Sequence, residues 1–318
     1  MIHLVTGAAG FIGSHLVAAL LARGDVVIAC DNLSRGKQAY LDAGIASGRC
    51  QFVEADCADL PAFRERVAAA LEGRALNAIW HMAANSDIPA GVADPRIDLR
   101  DTFMTTFNSL LLMRELGAKT FHFASSSAVY GDFGDEEISE KSAPLKPISN
   151  YGAMKLASEA QITAALESHG EHASIFRFPN VVGAPATHGV IFDFIHKLRA
   201  NPARLDVLGD GTQQKAYLHV SDLVEAMQFI AAQRAEKVSI VNIGPSDAGV
   251  TVKSIAEGVR DAVAPAAQIA YGQGNKGWVG DVPRFRYATT RLAQMGWEPR
   301  LNSAQAVQQA ITDIAGTL

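Results

Sequence analysis

Thr6-Gly7-Ala8-Ala9-Gly10-Phe11-Ile12-Gly13 is the stretch on which the reading of this chain turns. It follows a short β-rich run, Ile2–Thr6, and opens an apolar-periodic segment over residues 12–23. Its glycines are spaced Gly-x-x-Gly-x-x-Gly. Gly7 permits a tight turn, Gly10 lets backbone approach a ligand closely, and Gly13 lets a helix sit against a sheet. The amides of Phe11, Ile12 and Gly13 would face outward at a helix N-terminus, a natural seat for a pyrophosphate. A glycine triplet alone is weak evidence; a strand before it and a helix after it make it specific.

Outward from that turn the pattern repeats. Strand-like runs are expected at residues 26–30, 51–54, 78–81, 120–124 and 173–178, and helical spacing at 102–116 and 151–168. Gly24, Gly117 and Gly170 stand where helices should stop. Strand and helix in alternation, with right-handed crossovers, predict an α/β fold with a doubly wound parallel sheet. After about residue 179 the alternation breaks, and Pro, Gly and polar residues become frequent. The expected division is a cofactor domain over 1–178, with a return segment near 215–245 and a strand at 238–243, and a mainly substrate-binding domain over 179–318.

Composition narrows the classes. The 318 residues are 48% hydrophobic and 19% charged, with a formal net charge of −5, which suits a globular chain rather than a disordered one. No basic stripe points to nucleic acid. No apolar run is long enough to span a bilayer, and the N-terminus lacks a signal-peptide pattern, so a cytoplasmic protein is expected. Cys30, Cys50 and Cys57 fit neither a disulfide framework nor a zinc ribbon. His169 and His172 are spaced i, i+3, yet no Cys or acid cluster completes a site, and no metal is expected.

The second strand leads into Asp31, eighteen residues beyond Gly13. A carboxylate there can accept hydrogen bonds from both hydroxyls of an adenosine ribose and repels a 2′-phosphate, so NAD is expected over NADP. Arg35 and Lys37 keep NADP open, and a plain turn acid is the other reading of Asp31. Asn32 and Ser34 flank the same position. Asp56 and Cys57 follow the third strand; Asp56 suits an adenine edge or a helix N-cap equally. At the end of the fourth strand, His81-Met82-Ala83-Ala84 offers small residues past which a cofactor can run, Ala83 among them. His81 is read as lining or core, without a catalytic role.

Tyr151 and Lys155 lie four apart and share a helix face. A phenol ionises near pH 10, and a neighbouring ammonium favours its ionised form. Tyr-x-x-x-Lys is common on ordinary surface helices. What lifts it here is the strand end at Ser125-Ser126-Ser127, because open parallel sheets bind ligands at the carboxyl ends of their strands. Ser126, Tyr151 and Lys155 are therefore the expected catalytic set.

Together these pieces resemble the extended short-chain dehydrogenase/reductase superfamily, in its branch of nucleotide-sugar epimerases and dehydratases with a Rossmann-type fold. The matching segments are Thr6 to Gly13, Asp31 to Ser34, His81 to Ala84, Ser125 to Gly131, Tyr151 to Lys155, and Arg177-Phe178-Pro179-Asn180-Val181-Val182-Gly183. Leu208 to Thr212, Val220 to Asp222 and Gly280 to Pro283 fit as well. The resemblance implies a Ser/Thr role for Ser126 beside Ser127, a base role for Tyr151, and Lys155 as its partner on the nicotinamide ribose. It further implies substrate contacts at Asn180, Val190 and Lys215, and a homodimer built on the helices 102–116 and 151–168. Relatives carry arginine where Lys215 and Trp278 stand; Lys276 or Arg284 is expected to compensate. Thr102 stands at a usual Asn, and Thr187-His188-Gly189 is either a pocket wall or a turn.

The same resemblance separates reactions. Its 4,6-dehydratases place Asp and Glu directly after the catalytic hydroxyl residue, and its UDP-glucuronate decarboxylases place Glu at the position of Ala128; this chain has Ser127 and Ala128. Epimerisation needs neither carboxylate. The expected function is thus an NAD-dependent 4-epimerase acting on a UDP-sugar. The rivals are a nucleotide-sugar dehydrogenase, reductase or dehydratase, and a non-catalytic NAD-binding protein.

Overall fold

The computed structural model describes residues 1–134, 136–274 and 286–317. Its central element grows from short strands rich in β-branched and aromatic residues, mostly buried except at the edge strand β3: β1 Ile2–Thr6, β2 Val26–Asp31, β3 Cys50–Glu54, β4 Ala78–His81, β5 Thr120–Ala124, β6 His172–Arg177 and β7 Val238–Asn242. They form one sheet in the order β7-β6-β5-β4-β1-β2-β3. The pairings among the first six are all parallel. Near-continuous apolar runs are what a sheet covered on both faces demands. The order reverses between β1 and β4, so the chain leaves adjacent strands toward opposite faces and opens a crevice at their carboxyl ends.

The crossover helices are α1 Phe11–Ala22, α2 Leu60–Leu71, α3 Thr105–Leu116 and α4 Asn150–Ser168. Asp59 caps α2 by accepting from the Ala62 amide at 3.3 Å, and Ser149 caps α4 by accepting from Gly152 at 3.1 Å. Gly117, left-handed at φ 67°, closes α3. Phe63, Val67, Leu110, Met113, Ile162 and Leu166 project from these helices onto Phe121, Phe123 and Ile175 of the sheet to form one core.

The strands and helices fall where the sequence predicts them to within a residue or two, except before α3. There residues 99–104 wind as a wide π turn before α-helical geometry resumes at Thr105. Buried Asp98 and Thr102, with Thr105 and Thr106 bonding back to Thr102 and Asp101 carbonyls, compete with the regular ladder. His172 lies in the sheet rather than in a helix. It opens β6, with Nδ1 2.8 Å from the Glu236 carbonyl and Nε2 2.9 Å from the Ser174 hydroxyl.

Two compact units emerge. The first comprises Met1–Val129, Lys146–Arg177 and Met227–Val241, and the second Tyr130–Leu145, Phe178–Ala226 and Asn242–Leu318. The second unit, taken by itself, is built from two-stranded pairs rather than a large sheet. Asn180–Val182 runs parallel to Tyr217–His219, Arg204–Val207 parallel to Gln268–Tyr271, and Gln214–Lys215 antiparallel to Val250–Thr251. Helices Val190–Ala200, Val252–Val263 and Ser303–Thr317 close over Leu205 and Val207 through Ile195, Leu198, Ile255 and Ile311. Asp222, fully buried, takes the Arg300 and Leu301 amides and the Arg300 guanidinium at 3.0–3.1 Å.

Candidate active site in the first unit

The glycine turn is shaped by its neighbours. Gly7 has φ 65°, and a Cβ there would lie 2.8 Å from the Ala83 amide nitrogen. A Cβ on Gly13 would lie 2.0 Å from the Gly7 carbonyl oxygen. Both glycines are therefore obligatory: the first for its left-handed backbone and its approach to β4, the second because α1 starts against the turn itself. Gly10 is the N-cap of α1 in extended conformation and no side chain caps it. The first-turn amides of Phe11, Ile12 and Gly13 thus head a helix without a side-chain acceptor, which suits a bound anion.

Asp31 ends β2 and is 7% exposed. Its Oδ2 accepts from the Ala9 amide at 3.0 Å and its Oδ1 from the Leu33 amide at 2.8 Å. Burial raises its carboxyl above the usual carboxylate range, and the two amides oppose that. Each oxygen retains a further lone pair, so the side chain can still accept from a ribose. Asn32 takes the Ser34 amide at 3.1 Å, shaping the loop that follows.

Asp56 forms a turn on the Ala58 amide at 2.8 Å and pairs through its other oxygen with Arg100. It is not the cap of α2, which is Asp59. Cys57 is buried; contact with the Cys30 thiol, then burial, push its thiol well above the ordinary range. Its backbone carbonyl accepts from the Asn108 side chain at 2.9 Å. The ring of His81 is fully buried, with Nδ1 2.7 Å from the Thr6 hydroxyl and 3.2 Å from Ser109; burial, with the Lys155 charge adding to it, lowers it to about 3. It is a neutral core histidine.

The residues expected to be catalytic come from just past the end of β5 and the first turns of α4. Gly152 lets the two meet, since a Cβ there would be 2.5 Å from the Ala128 carbonyl oxygen. Tyr151 is hydrogen-bonded to Ser126, whose Oγ also accepts from the Ala128 amide at 3.1 Å. One turn on, Lys155 is 2% exposed and donates to the Ala124 carbonyl at 2.6 Å. Its Nζ lies 5.7 Å from the centre of the Tyr151 ring and 4.6 Å from that of Phe123. Desolvation pushes the Tyr151 phenol up to about 12; the Ser126 hydrogen bond opposes this and the Asp98 charge adds to it. Desolvation likewise lowers Lys155 to about 7, against the pull of Glu159 and Asp98. Ser126, Tyr151 and Lys155 are thus brought together as a hydroxyl pair backed by the Lys155 amine.

Two carboxylates near this set escaped the sequence reading. Asp98 is buried, takes the Asn85 amide at 2.9 Å on Oδ1, and is raised by burial. Glu159 is buried in a bidentate pair with Arg177, at 2.9 and 2.5 Å. The spacing of Tyr151, Lys155 and Glu159, one every four residues on one helix, is the signal that could have found the second.

The other residues singled out from the sequence lie in the second unit. Asn180 opens the strand paired with Tyr217, Val190 is the first residue of a helix whose N-cap is Gly189 at φ 104°, and Lys215 pairs with Val250. Lys276, Trp278, the Gly280-to-Pro283 segment and Arg284 lie outside the described residues. Among the described residues no group of three or more His, Cys, Asp or Glu side chains could hold a metal ion, and no helix is long and apolar enough to cross a membrane.

Known proteins share this fold. The crystal structure of a UDP-galactose 4-epimerase superposes with a TM-score of 0.84 at 34% identity, covering 100% of both chains. The UDP-glucose 4-epimerase of Thermus thermophilus, solved in complex with NAD, gives a TM-score of 0.86 at 28% identity, again over 100% of both. UDP-glucuronic acid decarboxylase 1 of Arabidopsis thaliana is 28% identical over 98% of this chain and 69% of its own length. Residues 3–244 match the family described as the NAD dependent epimerase/dehydratase family. The chain is an enzyme of the NAD-dependent epimerase/dehydratase family, and NAD is its cofactor.

Proposed function

We propose that this enzyme is a nucleotide-sugar 4-epimerase acting on a UDP-sugar. The observation that carries the reading is the local chemistry around Ser126. The hydroxyl hydrogen-bonded to Tyr151 is followed by Ser127 and Ala128, so no carboxylate stands beside it on the chain to drive elimination or decarboxylation. The relatives whose printed names specify 4-epimerisation, at 28–34% identity, support the same choice.

In this reading the NAD pyrophosphate lies on the amides of Phe11, Ile12 and Gly13. The adenosine ribose lies on Asp31, with Asn32, Ser34, Asp56, Cys57 and Ala83 along its course, and the nicotinamide ribose on Tyr151 and Lys155. When bound, NAD supplies positive charge and a reversible hydride acceptor. Tyr151 takes the proton of the sugar 4-hydroxyl, with Ser126 hydrogen-bonding to the same oxygen. A phenol at about 12 holds its own proton at neutral pH, so positive charge close by is required before it serves as a base. Lys155, lowered to about 7 and held on the Ala124 carbonyl, is placed to supply part of it in its protonated form. The 4-keto sugar turns over within the site while its nucleotide remains bound, and Tyr151 returns its proton to the C4 oxygen once the opposite face has been reduced. Binding energy from the nucleotide holds the intermediate through that rotation. Asn180, Val190, Lys215 and Arg284 are assigned to the substrate by the family resemblance.

The test is a panel of UDP-, GDP-, CDP- and dTDP-sugars incubated with the purified enzyme and resolved into epimers by chromatography. Conversion of a UDP-sugar to its 4-epimer, without net NADH, is expected. Tyr151→Phe should abolish turnover and leave NAD bound. Full turnover by that variant, or carbon dioxide or a dehydrated sugar as product, would overturn the assignment.

A further inference from the structure

The end of β5 is gripped residue by residue from α4. Ala124 gives its carbonyl to Lys155 at 2.6 Å. Ser125 gives its hydroxyl hydrogen to Glu159 Oε1 at 2.5 Å. Ser126 bonds with Tyr151. Three consecutive strand-end residues thus meet three side chains spaced by four on one helical stripe. Two of these contacts belong to the catalytic set already described. The third, Ser125–Glu159, lies behind it: Ser125 is 1% exposed and Glu159 4%. Glu159 is itself fixed from a third element, because Arg177 at the end of β6 grips both of its oxygens, at 2.9 and 2.5 Å. A short charge-assisted hydrogen bond to a carboxylate already locked by a guanidinium leaves the Ser125 side chain little freedom.

We propose that Ser125 and Glu159 are positioning residues for the proton transfer at Tyr151. They clamp the strand end through Arg177 so that the neighbouring Ser126 hydroxyl stays directed at the phenol. This rests on the reading of Tyr151 as the base. Ser125 and Ser126 are consecutive residues just past the end of β5, so fixing the Ser125 side chain fixes the backbone from which Ser126 projects. The Ser125 amide donates to the Phe123 carbonyl at 3.1 Å, a tight local turn that transmits the constraint through backbone rather than through a loose loop. The charged and titratable groups around the pair Tyr151 and Lys155 are Asp98 from the segment 95–98, Glu159 from α4 and His81 at the end of β4. Of these, Glu159 is the one hydrogen-bonded to Ser125, the residue before Ser126.

Two variants isolate the clamp. Ser125→Ala removes one hydroxyl and leaves the Glu159–Arg177 pair intact. Glu159→Asp keeps the charge against Arg177 and draws the carboxylate back by one methylene. In the NAD-loaded enzyme, the phenolate band of Tyr151 is read by ultraviolet titration as the difference between each protein and its Tyr151→Phe counterpart. Both variants are expected to raise the pH at which Tyr151 ionises by about half a unit or more, as Ser126 swings away. With a nucleotide sugar that the wild type converts, kcat should fall about tenfold while KM and NAD affinity stay unchanged. A Tyr151 titration and kcat equal to wild type in both variants, with only the melting temperature lowered, would reduce the clamp to a structural brace. Unchanged turnover in Tyr151→Phe overturns the base reading and the clamp with it; unchanged Ser125→Ala in an enzyme that Tyr151→Phe inactivates overturns the clamp alone.

Discussion

Replacing Gly13 by alanine adds one methyl group at the most crowded point of the cofactor turn. An ideal Cβ would stand 2.0 Å from the Gly7 carbonyl oxygen, 2.8 Å from the Gly7 carbonyl carbon and 2.9 Å from Ala8 Cα, all of them backbone atoms. An ordinary carbon–oxygen contact needs well over 3 Å, so α1 must retreat from the turn by more than 1 Å. That helix buries Leu16, Val17, Leu20 and Leu21 against the sheet, and displacing it opens gaps along the whole face. Overpacking of this kind costs about 1–3 kcal/mol, occasionally more. The better helix propensity of alanine returns about 1 kcal/mol at most, so the net sign is destabilising. The larger effect falls on NAD, because the displaced amides are those of Phe11 and Ile12 at the helix start; affinity should drop by about a hundredfold or more, from lost alignment of several hydrogen bonds. Urea unfolding and calorimetric NAD titration measure the two effects. Gly10→Ala serves as the graded control, since its Cβ would meet only the Gly7 oxygen, at 3.2 Å, from an ordinary extended backbone. A Gly13→Ala protein with wild-type stability and wild-type NAD affinity would refute the reasoning.

Acid should destabilise the fold well above carboxylate pH. His3 and His81 are held neutral by burial, lowered to about 4 and about 3 from the ordinary 6.5. Below pH 6.5 the unfolded chain takes up protons that the folded chain refuses, so stability falls as pH drops from 6.5 toward 4, by up to about 1.4 kcal/mol per pH unit for each group. A melting temperature flat across that window contradicts this. Lys215→Arg should lower KM for the nucleotide sugar by about fivefold, because a guanidinium can grip a diphosphate with two parallel bonds where an ammonium offers a point charge. Initial-rate kinetics decide it, and an unchanged or raised KM removes Lys215 from the phosphate.

The strands and the glycine turn were legible because their physics is local. Glycines at 7, 10 and 13 between a strand and a helix admit few backbones, and short apolar runs punctuated by Gly24, Gly117 and Gly170 define the alternation. Tyr151 and Lys155 were legible as a helical pair. The wide turn at 99–104 was not, because the helical spacing of 102–116 hides the competition from buried Thr102 and Asp98, which depends on Asn85 and on residues far along the chain. Glu159 was not singled out either. Its partners, Ser125 and Arg177, lie 34 and 18 residues away, and only the parallel sheet sets their strand ends side by side. Asp56 kept two readings open in sequence; the fold adds a third claimant, Arg100, 44 residues on.

The double hydrogen bonding of Asp31 has a consequence for altering coenzyme preference. Its two oxygens tether the Ala9 amide on one side and the Leu33 amide on the other, and Leu33 holds a left-handed φ of 56°. An exchange that admits a phosphorylated ribose, Asp31→Ser for instance, also unties the glycine loop from the exit of the second strand. Asn keeps one acceptor but turns an NH2 group toward the other amide. Conversion of this scaffold therefore calls for a second substitution that re-anchors Ala9 and Leu33, and selection at position 31 is governed by loop architecture as much as by the molecule it greets.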